Sequence, residues 1–293
     1  MTMHSFVASI VAMCFAAASA SLLAQRPAPS ATARTAWSVP RTPDGRPDLQ
    51  GIWSFATLTP LERPRELADK AVLTAEEAAT FVRQQKERQD RDNRSAQARQ
   101  DVEGAYNNFW WDWGTSVVGT RRTSLIVEPP DGRIPPLTPE AQKRASGPRA
   151  RPVKERVVLG AVVDGPEDIG LSERCILGFS SGPPILPNAY NNNLQIIQTS
   201  GYVVVFTEMI HEARVVPLDG HPHLPSGVRQ WLGDSRGRWE GDKLVIETTN
   251  FTDKSSFSGS IIARGGSTAK MHLVEKLSRV AHDTLLYEFS VSD

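Results

Sequence analysis

The stretch that decides the fold is Leu194-Gln-Ile-Ile-Gln-Thr-Ser-Gly-Tyr-Val-Val-Val-Phe-Thr-Glu-Met-Ile-His-Glu-Ala-Arg-Val-Val-Pro217. LQIIQT and YVVVFTEMIHEARVVP read as two strands joined at Ser200-Gly201. The run Val203–Phe206 is apolar and largely β-branched, which predicts burial on both faces. Downstream, RQWLGDSRGRWEGDKLVIETTNF spans 229–251, and Glu240-Gly241-Asp242 within it marks a tight hairpin. KMHLVEKLSRV and TLLYEFSVS follow, separated by Ala281-His282-Asp283. In the last segment Leu285, Tyr287, Phe289 and Val291 alternate with polar positions, as in a strand with one wet face. Successive antiparallel strands with short turns make a mainly β meander, whose apolar face must close or stack. Closure into a lipocalin-like or streptavidin-like barrel is expected, with a two-sheet β-sandwich as the alternative.

Upstream of the strands lie one N-terminal helix and long loops. Thr74-Ala-Glu-Glu77 is a capping box, and it predicts a helical insertion over about 75–100. The helix starts amphipathic through Ala78, Ala79 and Val82, then becomes almost wholly polar from Gln84. Thr138-Pro139-Glu140 is a second helix start. The basic run 143–156 reads as an exposed loop, since the chain's 33 basic and 33 acidic residues cancel. That neutrality argues against nucleic acid as a partner and against attraction to anionic lipid.

Residues 1–24 contain no Lys, Arg, Asp or Glu. The apolar run Phe6–Ala18 leads into Ala18-Ser19-Ala20, the pattern of a signal peptide and too short for a membrane span. The expectation is a secreted or periplasmic protein: signal peptide 1–24, flexible linker 25–48, one β-rich domain 49–293, and no membrane association after cleavage. Cleavage removes Cys14 and leaves Cys175 alone, which reads as a small buried hydrophobe. The chain ends directly after a strand, so a C-terminal truncation is expected.

Three groups are able to carry chemistry. Asn107-Asn-Phe-Trp-Trp-Asp-Trp-Gly114 places Trp110, Trp111 and Trp113 around Asp112. Such a cluster stacks on sugar rings or encloses an apolar ligand, and it also serves as a hydrophobic plug. In Glu208-Met-Ile-His-Glu-Ala-Arg214, a strand unbroken from Val203 to Val216 puts His211 on an otherwise apolar face. There it is either a hydrogen-bonded core residue or the polar point of a cavity. With Glu208 as orienter, reachable only through a bulge, His211 is the candidate general base. Glu208, Glu212 and Arg214 then project to the opposite face. His221 and His223 form an H-x-H pair, a weak metal candidate whose ligand set His211 or Asp219 would complete, although Pro222 between them favours a turn. Tyr190 and Asn192, in YNNN, suit sugar hydroxyls or turns equally well. Arg214 joins the list of candidate ligand contacts. No cofactor is expected, and no P-loop, dinucleotide fingerprint, GxSxG elbow or HExxH helix is present.

PDLQGIW, TLTPLERP, FWWDWG, RTSLIVEPPDGRIPPLTPEAQ, YNNN, EMIHEAR, HLPSGVRQWLGDSRGRWEGDKLVIETTNFTDK and DTLLYEFSV together resemble a family of uncharacterised secreted, β-rich proteins of environmental bacteria. The resemblance spans nearly all of the mature chain. It implies export and a β-rich body, and carries no activity or catalytic residue. Members continue past the final strand, which fits truncation, and the IIARGGSTAK stretch looks like a local insertion. Three functions stay open. The first is a barrel binding a small, partly apolar or sugar-like ligand between the Trp cluster and His211. The second is a hydrolase or lyase using His211 as acid or base. The third is an envelope structural protein.

Overall fold

The computed structural model describes residues 37–92, 107–146, 165, 171–172, 174–178, 181–253 and 268–293. The expected signal peptide, most of the basic run and most of the IIARGGSTAK stretch lie outside them. Within the expected linker, Thr42 to Arg46 closes a turn, and the Asp48 amide donates to the Pro40 carbonyl at 2.8 Å. Leu49 follows in the core, fully buried.

Among the described residues, eight strands form two antiparallel sheets. The first comprises β1 (Gly51–Ser54), β2 (Asn193–Gln198), β3 (Tyr202–Thr207) and β4 (Ala213–Pro217), in that order. The second comprises β5 (Asp234–Glu240), β6 (Lys243–Thr249), β7 (His272–Ala281) and β8 (Thr284–Ser292). The body is therefore mainly β, with few helices. The β5–β6 hairpin turns on Gly241, which takes φ +59°, a conformation costly for side chains with a Cβ.

Both sheets contribute to one core. Leu194, Ile196, Val203, Val205 and Val216 from the first meet Leu244, Ile246 and Leu277 from the second. Pleating fixes this selection, because alternate residues of each strand point inward. Val203 and Val205 are buried, whereas Phe206 is exposed and Val204 half-buried. The expectation of burial on both faces of this run is thus corrected: the outer face of β3 has no covering layer among the described residues.

The expected unbroken strand 203–216 is also corrected. It stops at Thr207, and Met209–His211 make a short 3-10 turn in which Ile210 and His211 take φ +57° and +46°. Two successive left-handed residues reverse the chain, so β4 runs back along β3. Paired with Val205, Arg214 faces inward, contrary to the expected phase. His211 falls on the exposed turn.

Helix α1 spans Ala75–Gln89, with both halves of the capping box formed. Thr74 Oγ1 accepts from the Glu77 amide at 3.2 Å, and Glu77 Oε2 accepts from the Thr74 amide at 2.8 Å. The helix ends ten residues short of the expected boundary. Asp90 leaves helical geometry, and its Oδ1 accepts from the Asp92 amide at 3.0 Å and from Asn108 Nδ2 at 2.7 Å. A short carboxylate that finds such partners competes with continuing the helix. Helix α2, Pro139–Ser146, starts where the sequence places it. Among the described residues, no helix is long and apolar enough to cross a membrane.

Candidate functional site

The end of α1 meets the segment 107–115 at an open cleft of about 390 Å³. Its walls are Lys86, Gln89 and Asp90 from the helix side and Asn108, Trp111, Asp112, Trp113, Gly114 and Thr115 from the aromatic side. Indoles 111 and 113 stack face to face, centroids 5.2 Å apart and planes 7° apart. Tyr190 meets Trp111 edge-on at 6.3 Å, and the Arg91 guanidinium lies 5.5 Å from the same ring. The indole N–H of Trp113 is buried and has no acceptor among the described residues.

The aromatic segment is fixed from below. Asn192 Nδ2 donates to the Asp112 carbonyl and to the Asn188 carbonyl, each at 2.7 Å, while its Oδ1 accepts from the Asn188 amide at 2.8 Å. The Asp112 amide donates to Ala189 at 2.7 Å. Gly114 completes the seat. At φ +82°, a Cβ there would stand 2.8 Å from the backbone of Ala56 and Thr57. The glycine allows the segment to lie directly on the chain that follows β1.

Of the sequence candidates, Trp111, Asp112 and Trp113 come together in this cleft. Trp110 and Phe109 project outward, packed edge to face at 5.5 Å. Tyr190 is not part of the cleft wall and meets Trp111 edge-on. Asn192 is fully buried and its amide is committed to backbone partners, so its place as a ligand contact is corrected to that of a support. Helix residues Lys86, Gln89 and Asp90 were hidden in the sequence, because a wholly polar helix end resembles any solvated surface.

Arg214 is also corrected. It forms a two-pronged ion pair with Glu275, the Nη2–Oε1 distance being 2.9 Å, and has no surface to offer a ligand. Glu275 is 0% and Arg214 8% exposed. The Tyr287 hydroxyl donates to Glu275 Oε1 at 2.8 Å and accepts from the Ile185 amide at 2.9 Å. Burial, and then the Glu275 charge, push the Tyr287 phenol well above its usual pKa. One sequence signal pointed here: Glu275 occupies the inward phase of β7 between Leu273 and Leu277.

Exposed Glu208 binds the amide and side chain of Asn193 at 3.2 and 2.9 Å, and it does not orient His211. His211 is not part of the cleft wall. His221 and His223 turn to separate carboxylates, Asp219 at 2.9 Å and Asp234 at 2.8 Å. No three ligand-type side chains converge among the described residues. Cys175 is exposed rather than buried, at φ +53° on a turn closed by its amide to Ser172.

Comparison with protein-family models, curated proteins and solved structures finds no match. The functional reading therefore rests on this geometry.

Proposed function

We propose that the chain is an exported protein that binds a small, sugar-like ligand in the cleft between α1 and the Trp111–Trp113 segment. The observation that carries this reading is the joining of a flat indole pair to convergent polar groups in one concavity. A pyranose ring has an apolar C–H face that packs on an indole and a rim of hydroxyls. Asp112 supplies acceptors, Lys86 donors and Gln89 both, while Asn108 and Asp90 bond to each other and shape the wall. A volume of about 390 Å³ lies in the range of small-molecule sites and admits one or two sugar rings. Export is supported by the charge-free leader with its Ala-Ser-Ala end and by the resemblance to secreted proteins.

The scaffold reading goes with it. The strands follow chain order within each sheet, and β4 and β5 are neighbours that share the core. This order supports a lipocalin-like winding of a single meander, with the ligand held outside it, at the helix. His211, exposed on a turn and off the cleft wall, takes no part in this function.

The test is titration of the purified chain with neutral mono- and disaccharides, followed by calorimetry and indole fluorescence. Binding is expected to saturate with one or more sugars, and Trp113→Ala and Asp112→Asn each to weaken it at least tenfold. Trp110→Ala should leave it unchanged. Equal effects at Trp110 and Trp113, or no binding by any sugar, overturn the reading.

A further inference from the structure

The loop after β4 and the outer face of the second sheet assemble a group that the cleft does not use. His223 Nδ1 lies 2.8 Å from Asp234 Oδ2, which also accepts the Leu224 amide at 3.0 Å. Arg236 Nη2 stands 3.5 Å from the other oxygen of that carboxylate. Asp234 is 8% exposed and His223 25%. Nε2 of His223 carries no hydrogen bond among the described residues. The ring is held by more than its own bond, because Asn250 Nδ2 ties down the carbonyls of Leu224 and Pro225 at 2.8 and 3.3 Å. A carboxylate on Nδ1 selects the tautomer whose Nε2 lone pair points away, which is how a general base is oriented.

The surroundings narrow the substrate. On the neighbouring strands, His272 Nε2 binds Glu247 at 2.7 Å, and Arg238 lies 3.7 Å from Glu247. Asp219, Asp234, Glu240 and Glu247 are thus interleaved with Arg236, Arg238, His272 and the more distant Lys243 and Lys276. This balance favours neither a polyanion nor a polycation. Of the hydroxyls on β5 and β6, Ser235 and Thr248 bond each other at 2.9 Å on the core face of the sheet, and Thr249 lies across from Asp234 on the outer face. None of them is bonded to Nε2 of His223 among the described residues, so water is the nucleophile assigned to the ring. Arg236, whose side chain is 21% exposed, shares the Asp234 carboxylate with His223 and so brings a guanidinium beside the base.

The geometry points to a second, hydrolytic site in which His223, positioned by Asp234, activates water against a neutral ester of a phenol or similarly acidic alcohol. Nε2 takes a proton from water as the water oxygen bonds to the acyl carbon and the carbonyl electron pair moves onto its oxygen. Arg236 faces that charge. When the pair returns, the bond from carbon to the phenolic oxygen breaks. The phenolate leaves unprotonated, and the imidazolium passes its proton to solvent.

The experiment uses the full chain with 4-nitrophenyl acetate as probe, across pH 5 to 9. The rate is expected to rise with loss of one proton and to be slower in D2O, and His223→Asn should lower it about tenfold or more. Asp234→Asn should lower it as well, by freeing the tautomer. The controls are His221→Asn, another carboxylate-bonded imidazole on the same loop, and His282→Asn, an exposed one. Both should stay within about twofold of the parent. Sugar binding in the cleft, measured on the same proteins, reports folding independently. If His223→Asn keeps the parent rate while still binding sugar, or if His221→Asn costs as much, the proposal fails. If a variant loses sugar binding too, His223→Gln and the D2O comparison on the parent decide instead. A parent rate equal in H2O and D2O overturns the proposal.

Discussion

Breaking the Arg214–Glu275 pair should be the most damaging single change in the described core. Both groups have left water almost completely, and each satisfies the other through two contacts. Arg214→Met leaves a carboxylate with only the Tyr287 hydroxyl for company. Removing one partner of such a pair costs about 3–5 kcal/mol. That is a large fraction of the roughly 5–15 kcal/mol that holds a domain folded. Replacing both partners, Arg214→Met with Glu275→Leu, removes the stranded charge and should recover most of the loss, because an apolar pair of similar volume often matches a buried ion pair. The assay is urea denaturation followed by intrinsic fluorescence. With a slope of about 3 kcal/mol per molar, the single variant's midpoint should fall by roughly 1–1.7 M and the double variant's by less than half of that. A single variant within about 1 kcal/mol of the parent would refute the reasoning, since it would mean that water reaches Glu275. A double variant as damaged as the single would refute it too, since packing rather than charge would then set the cost.

Three further outcomes follow from other parts of the molecule. Tyr287, whose phenol is raised by burial, should keep its proton as pH passes 10. The unfolded chain loses that proton first, so stability falls as pH rises above about 10; absorbance at 295 nm should show a late step coincident with unfolding and absent in Tyr287→Phe. Glu247 is held below its usual carboxylate range, first by the hydrogen bond from His272 and further by the charges of His272, His223 and Arg238. Its contribution to stability is present above the unfolded carboxylate pKa and is lost as pH falls through the depressed folded value. His272→Gln should therefore move the Glu247 carboxyl carbon titration upward, and an unmoved titration would contradict the assignment. Gly114→Ala should lower stability by about 1–3 kcal/mol and weaken sugar binding, because its Cβ meets the backbone of Ala56 and Thr57; calorimetric melting and a repeat titration check both.

The strands were legible because period-two alternation is a local property. β5, β6, β7 and β8 can be read from the order of their residues, and the capping box announced the start of α1. The reversal after Thr207 was not legible. Glu208-Met-Ile-His contains no Gly, Pro or Asn to mark a turn, and the left-handed angles at Ile210 and His211 are imposed by pairing β4 against β3. That single misreading exchanged the faces of His211 and Arg214. The pairing of β1 with β2 was hidden as well, since about 140 residues separate them and no local pattern selects the partner. The aromatic half of the cleft was visible in FWWDWG. Its polar half was not, because Asp90 and Lys86 become a wall only once the chain returns against the end of the helix. The Asp234–His223 pair was out of reach for the same reason: its members stand eleven positions apart across a loop.

The most direct test of the central claim follows the indole N–H signals of all seven tryptophans while the best-binding sugar is added. Trp111 and Trp113 should shift in proportion to occupancy, and Trp53 and Trp239, packed against the core between the sheets, should stay still. Shifts at Trp53 and Trp239 with none at Trp111 and Trp113 would put the ligand between the sheets and contradict the account.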